Sequence, residues 1–309
     1  MQICYMFPGQ GTQRAGMLRD LGSNVADVRA VFEAASDVSG KDVEKLCLSA
    51  TEEELKRTEN TQIAVTAMNL AFYTLLQQKG VSPTVVLGHS LGQFSALYAA
   101  GVFSLEDTFR LIAKRAELMA GITISGALCT VLGLSMEQVE SICKEVDPTG
   151  ERLAVALHNT ETQIVVGGLE EVVAQAEAIF KQNGALRTIP VRVSNAFHTP
   201  LMKEMEDEFS AFVSSVPLSE PKCPVLLNCK GGYAADATEI RRDIIQQCCH
   251  TVHWCDCLKK LFEQEDLLVA ELGIGKVLAG MARSIDPRRT TYLMSNPRQF
   301  SQFVGLTTK

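Results

Sequence analysis

Short apolar runs alternate with longer amphipathic stretches over the first 120 residues. Gln2–Phe7 (Gln-Ile-Cys-Tyr-Met-Phe) and Val85-Val86-Leu87-Gly88 have the length and continuous apolarity of buried strands. Between them the apolar positions follow a helical period, predicting helices around 22–36, 41–48, 52–56 and 61–79. The last of these places Ile63, Ala67, Leu70, Ala71, Thr74 and Leu75 on one face. Further helices are predicted over 93–100 and 105–119. Buried strands separated by helices read as a parallel sheet covered by helices on its faces.

From about residue 123 the pattern changes. Ala127–Leu134 reads as a strand, and Ser135 caps a helix that opens at Met136. Leu153–His158 and Gln163–Val166 form a predicted hairpin across Asn159-Thr160-Glu161-Thr162. A helix over Leu169–Gln182 ends at Asn183-Gly184, and Leu186–Val193 is the last strand. This β-α-β-β-α-β order is the split, ferredoxin-like unit. Afterwards the first pattern resumes with Val225–Asn228, Ile240–Cys249, Cys257–Gln264, Leu267–Leu272 and a helix from Gly275 to Ser284. The expected class is therefore α/β. A large α/β-hydrolase-like subdomain with a mainly parallel sheet spans 1–122 and 193–309, and a small ferredoxin-like subdomain, 123–192, is inserted in it.

Composition narrows the field. A formal net charge of −7 argues against nucleic acid as a partner, because phosphate binding needs a basic surface. No apolar run reaches the roughly 18 residues that span a bilayer, and the N-terminus has no basic n-region, so a cytoplasmic, non-membrane protein is expected, acting as a monomer. The 10 cysteines include no C-x-x-C pair. Cys248-Cys249 and Cys255-x-Cys257 lie near His250 and His253, yet the ligand spacing of structural zinc sites is absent. Buried reduced thiols, and no metal, are expected.

The chemistry concentrates at Gly88-His89-Ser90-Leu91-Gly92. A G-x-S-x-G turn between a strand and a helix pushes the serine hydroxyl out of the backbone, which makes Ser90 the candidate nucleophile. Serine needs a base to take its proton. His89 is its chain neighbour and should point away on so sharp a turn. His158 falls in a predicted strand, and His250 and His253 sit at the end of a late helix, where solvation or C-capping is the plain role. His198, in Asn195-Ala196-Phe197-His198-Thr199-Pro200, follows the last strand of the insertion and precedes a helix. It lies where the two subdomains meet. Oxyanion donors are expected from the amide of Leu91 and from Gln10 in the turn Pro8-Gly9-Gln10-Gly11.

Phe7-Pro8-Gly9-Gln10-Gly11-Thr12-Gln13, Gly88-His89-Ser90-Leu91-Gly92-Gln93, Lys114–Met119 and Asn195-Ala196-Phe197-His198 fall in an order that resembles malonyl-CoA:acyl carrier protein transacylases and the acyltransferase domains of polyketide synthases. The resemblance covers nearly the whole chain. It implies acylation of Ser90, His198 as general base, and a backbone carbonyl, here that of Gln247, to orient the histidine. This chain has His250-Thr251 where the family usually has Asn-Pro. The resemblance also assigns Arg115 to the carboxylate of the malonyl group, which a guanidinium grips with two parallel hydrogen bonds. Met119 is implied to line the acyl pocket. Phe197 occupies the place of a methyl branch, which favours malonyl over methylmalonyl. No cofactor is implied, and an acyl carrier protein is the implied partner. Lys181, Arg187, Arg192, Lys276, Arg283, Arg288 and Arg289 are candidate docking residues for so acidic a partner.

Three other readings fit less well. An acyl hydrolase of the same fold has no use for a carboxylate clamp such as Arg115. An ordinary esterase expects an acid before a C-terminal histidine. A non-catalytic docking module does not need Ser90, His198 and Arg115 together. Fatty acid synthesis, polyketide synthesis and malonate decarboxylase loading all remain open as pathways.

Overall fold

The computed structural model describes residues 2–191 and 195–307. Arg192, Val193 and the expected boundary at 192/193 lie outside the described residues. Among the described residues ten strands form two sheets: β1 (Gln2–Phe7), β2 (Val85–Gly88), β3 (Gly126–Leu132), β4 (Leu153–Thr160), β5 (Gln163–Leu169), β6 (Arg187–Val191), β7 (Val225–Leu227), β8 (Gly232–Tyr233), β9 (Leu267–Glu271) and β10 (Thr291–Leu293).

The larger sheet runs in the order β10-β9-β1-β2-β7-β8, parallel throughout except for β8. Its central strands are apolar on both faces because helices cover both: Tyr5 and Phe7 pack into one cluster, Cys4 and Met6 into another. The register pairs Phe7 with Gly88 and Met6 with Glu271. The C-terminal ends of β1, β2 and β9 are therefore level, and the loops leaving them share one edge, where open α/β sheets bind ligands.

The smaller sheet, β4-β5-β3-β6, is wholly antiparallel and has the ferredoxin-like strand order. The helices Met136–Val146 and Glu170–Gln182 bury its apolar face. The two sheets meet where Leu157 bridges Val252: the His158 amide donates to the Val252 carbonyl and the Val252 amide to Ala156, both at 2.9 Å.

Several boundaries differ from expectation, and the differences matter for the site. The strand expected over 225–228 stops at Leu227, which frees the Asn228 side chain to turn back toward β2. The helix expected to reach Cys249 ends at Gln246, leaving 247–253 as a loop between the sheets. The segment expected as one helix over 22–36 is a 3-10 stretch, Met17–Val28, broken at Gly22 (φ 57°), followed by the helix Arg29–Ser39. Short runs hid β8 and β10 from the periodicity.

Candidate active site

Ser90 and His198 share a backbone oddity. They are the only non-glycine residues with positive φ among the described residues, at 51° and 63°. The left-handed region costs an L-residue about 1–2 kcal/mol, so each must be held in place. For Ser90 the holding group is Asn228. Its Oδ1 accepts the Ser90 amide at 2.7 Å, while its Nδ2 donates to the Gly88 carbonyl at 2.8 Å. Close packing does the rest, since a Cβ on Gly92 would collide with the Phe7 carbonyl and one on Gly9 with that of His89. His198 is held through its amide, which donates to the Cys248 carbonyl at 2.9 Å.

These constraints put Ser90 Oγ 2.7 Å from His198 Nε2. On the far side of the ring, Nδ1 lies 2.6 Å from the Gln247 carbonyl oxygen. A carbonyl only accepts, so Nδ1 carries the proton and Nε2 is free to receive one from serine. His198 is buried, and that burial, followed by the nearby Arg115 guanidinium, pushes it down to about 3. It is neutral at physiological pH. The His250-Thr251 departure leaves this geometry intact: Thr251 Oγ1 donates to the Val155 carbonyl at 2.7 Å, and His250 packs back on the Gln246 carbonyl at 3.0 Å.

Leu91 is buried at the start of the helix Gly92–Ala99, and Gln10 lies in the loop leaving β1. Asn69 Nδ2 anchors that loop through the Pro8 carbonyl at 2.9 Å. Among the described residues neither amide donates within the protein, whereas the Ser90 amide is taken by Asn228.

Arg115 projects from the helix Leu105–Gly121 and is 1% exposed, yet no carboxylate pairs with it among the described residues. Its partners are neutral: Gln62 Oε1 at 2.7 Å, Gln247 Oε1 at 3.3 Å and Ser90 Oγ at 3.3 Å, with the Phe94 ring 5.7 Å from Cζ. Its Nε has no hydrogen-bond partner among the described residues. A buried cation in this state is costly unless an anion completes it. Met119 joins the group through its sulfur, 3.2 Å from Gln62 Nε2, and Phe197 is buried in the same apolar cluster.

The other histidines stand apart from the serine hydroxyl. His89 turns away as expected, with Nε2 2.9 Å from Asn159 Oδ1 and its ring edge-on to Trp254. Of the candidate docking cations, Arg289 is largely committed elsewhere: it stacks on Phe262 and donates to the Gln264 carbonyl at 3.0 Å. All ten cysteines are unpaired.

Sequence reasoning missed the supporting polar groups. Gln62 and Asn69 lie in the buried helix Thr58–Gln78, where Gln62, Thr66 and Asn69 recur at i, i+4 and i+7 within an otherwise apolar surface. That stripe was a readable signal. Asn228 and Asp243 carried none, and Gln93 stood only as the last residue of the motif Gly88–Gln93. The buried Asp243 accepts from Gln93 Nε2 at 2.7 Å, and Gln93 Oε1 accepts the Asn228 amide at 3.0 Å.

The chain is similar to known proteins over nearly its whole length. The family described as "Acyl transferase domain" matches residues 4–281. The malonyl CoA-acyl carrier protein transacylase of Haemophilus influenzae is 34% identical over 288 residues, 92% of each chain. The polyketide biosynthesis protein ThaF of Burkholderia thailandensis is 36% identical over 287 residues, which are 92% of this chain and 24% of that longer one. Among solved structures, the malonyl-CoA:acyl carrier protein transacylase of Xanthomonas oryzae superposes with a TM-score of 0.93 at 32% identity, covering 99% of both chains. A malonyl-transacylase in complex with its type II PKS acyl-carrier protein superposes at 0.94 and 32% identity, covering 99% of this chain and 100% of that one. A strained serine within reach of a carbonyl-oriented histidine, on a fold shared end to end with these enzymes, leads to one conclusion: this chain belongs to the acyl transferase domain family.

Proposed function

We propose that this protein moves malonyl groups from malonyl-CoA to the phosphopantetheine thiol of an acyl carrier protein, through a malonyl ester on Ser90. The observation that carries the reading is the buried Arg115 guanidinium, without a counter-anion among the described residues and 3.3 Å from the serine oxygen. A malonyl carboxylate supplies the missing charge, and its thioester carbonyl then faces Ser90. A hydrolase acting on uncharged acyl groups would leave that cation uncompensated.

The steps follow from the proton positions. Ser90 Oγ attacks the thioester carbonyl as its proton passes to His198 Nε2. The amides of Gln10 and Leu91 take the oxyanion. His198 returns the proton to the departing CoA sulfur, leaving malonyl-Ser90. The carrier thiol then gives its proton to His198, attacks the ester, and Ser90 leaves with that proton restored. Gln247 holds the imidazole through its carbonyl, Met119 and Phe197 bound the acyl group, and no cofactor enters.

The dyad, both amides and Arg115 all come from one chain, which supports action as a monomer. Strands of the smaller sheet come from within 126–191, which supports 123–192 as an inserted unit between 1–122 and 193–309. No described helix is long and apolar enough to cross a membrane. The ten unpaired cysteines, which persist where thiols are kept reduced, support a cytoplasmic location.

Intact mass spectrometry after mixing with malonyl-CoA tests the proposal. One malonyl adduct is expected on the native chain and none on Ser90→Ala. Labelling that persists in Ser90→Ala would overturn it.

A further inference from the structure

Behind the catalytic serine lies a second cluster of chemistry-bearing side chains with no part in acyl transfer. His158 comes from β4 of the small sheet, while Cys255 and Asp256 come from the first turn of the helix Trp254–Phe262, which covers the large sheet. One donor atom from each lies within 4.8 Å of the other two. His158 Nδ1 is 3.5 Å from Asp256 Oδ2. His253, just before the same helix, places its Nδ1 3.3 Å from that oxygen and steadies the carboxylate from the other side. We propose that His158, Cys255 and Asp256 form a binding site for a single divalent cation of the zinc class, tying the two sheets together.

The chemistry and spacing fit such an ion. Imidazole, thiolate and carboxylate are the three side-chain donors zinc takes, and three protein donors with water completing the shell is a common arrangement. A tetrahedral zinc about 2.0–2.2 Å from nitrogen and oxygen donors sets them about 3.4 Å apart. The observed 3.5 Å between His158 and Asp256 matches that edge. The sulfur lies at most 4.8 Å from the other two donors, so reaching the sulfur–nitrogen edge of about 3.6 Å asks for a closure of about 1.2 Å at most. A thiolate in the set disfavours calcium and magnesium, which take oxygen ligands. Access exists as well: the Asp256 side chain is 45% exposed, so an ion enters from solvent while His158 and Cys255 form the buried floor.

The position makes occupancy consequential. Donors separated by almost 100 residues would be cross-linked at the β4–Val252 junction, adding a metal tie to the backbone hydrogen bonds and the Thr251–Val155 and His89–Asn159 contacts already there. Asn159, next to His158, holds His89, and His89 precedes Ser90. The sequence pattern singled out Cys255-x-Cys257 beside Cys248-Cys249, His250 and His253 but set a metal aside for want of zinc-site spacing, because nothing in it showed that β4 brings His158 beside Cys255.

Native mass spectrometry of the full, reduced, metal-stripped chain with zinc chloride tests the site, with cobalt(II) as a spectroscopic substitute. One zinc per chain at micromolar free metal is expected, and cobalt should give a thiolate-to-metal band in the near ultraviolet. Cys255→Ser should abolish that band, and His158→Gln should weaken zinc at least tenfold. Asp256→Asn, a change at a partly exposed position that leaves the core untouched, should weaken zinc to a similar degree. A Cys248→Ser, Cys249→Ser double variant should bind as the native chain does. The proposal is overturned if no stoichiometric zinc binds, if cobalt binds without the thiolate band, or if Asp256→Asn and His158→Gln keep native affinity. None of these readouts depends on the acyl-transfer reading.

Discussion

Gln247 and His198 are joined by a backbone carbonyl rather than by a side chain: the Nδ1 proton of the histidine is given to the Gln247 oxygen at 2.6 Å. Replacing the Gln247 side chain therefore leaves the tautomer of the base in place. What Gln247→Ala removes is the amide that donates to the Ser90 carbonyl at 3.0 Å and accepts from Arg115 at 3.3 Å. Each such hydrogen bond contributes about 1 kcal/mol, so losing both should lower the acylation rate by about 30-fold. Its pH profile should superimpose on that of the native enzyme. A profile that moves by a full pH unit would mean the side chain, and not the carbonyl, tunes the base.

The depressed His198 predicts an unusual acid limb. A histidine lowered from 6.5 to about 3 stays neutral throughout the mildly acidic range. Acylation of the free enzyme, read as kcat/KM for malonyl-CoA, should be flat from pH 8 to 5 instead of falling near the ordinary imidazole value. Because Arg115 is the second cause of the depression, Arg115→Ala eases protonation and must move the limb upward. An unmoved limb in that variant would remove Arg115 from the electrostatics of the base.

Donor selectivity provides a separate test of Arg115. Truncating one member of a buried charge pair costs about 2–5 kcal/mol, a loss of about 30- to several-thousand-fold for malonyl-CoA in Arg115→Ala. Acetyl-CoA carries no carboxylate and should lose little. The ratio of kcat/KM for the two donors should invert. An equal fall for both would make Arg115 structural.

Asn228 is predicted to act as a positioning residue. In Asn228→Ala the Ser90 amide and the Gly88 carbonyl both lose a buried partner, a cost of about 1–3 kcal/mol for each group left unsatisfied. The freed elbow should lower kcat while leaving KM for malonyl-CoA close to native, since the Arg115 contacts are untouched. A rise in KM with constant kcat would place Asn228 in binding instead.

Glu271 gives a stability signal that runs against the histidines. Buried at the end of β9, with its carboxylate against the start of the helix Val277–Ile285, it accepts from the Ala279 amide at 2.8 Å, and burial pushes it up from 4.5 to about 7. Its folded value lies above its unfolded one, so the folded state prefers the protonated carboxyl, and stability is lost as pH rises from 4.5 to 7. His198 has the opposite sign, because its folded value is lowered and stability is gained as pH rises from about 3 to 6.5. Glu271→Gln should uncover that gain. Between pH 4.5 and 7 its unfolding free energy should rise relative to the native chain by about 1–3 kcal/mol in total. Parallel curves would show that Glu271 titrates normally.

Local features were readable in the sequence and long-range ones were not. The elbow around Ser90 is a contiguous strand, turn and helix, so its chemistry is written in neighbouring residues. His198 was legible because the strand before it and Pro200 after it marked a loop between two patterns, and Arg115 because it lies in a contiguous resembling segment. The bracket formed by Asn228, by contrast, joins groups 138 and 140 positions apart, and no periodicity reports such a contact. The start of the loop 247–253 was read as the end of the helix Ile240–Cys249 because Cys248 and Cys249 continue its apolar pattern. They are buried by packing between two sheets, and a helical face is not the cause.

The left-handed backbone at Ser90 and His198 also bears on how this protein can change. Glycine at either position would relieve the strain, so Ser90→Gly should withstand heat better than the native chain while losing all activity. Selection for thermal endurance alone would thus drift toward an inert protein. Any breeding of a hardier enzyme has to screen turnover alongside survival, and it should look for its gains away from these two positions.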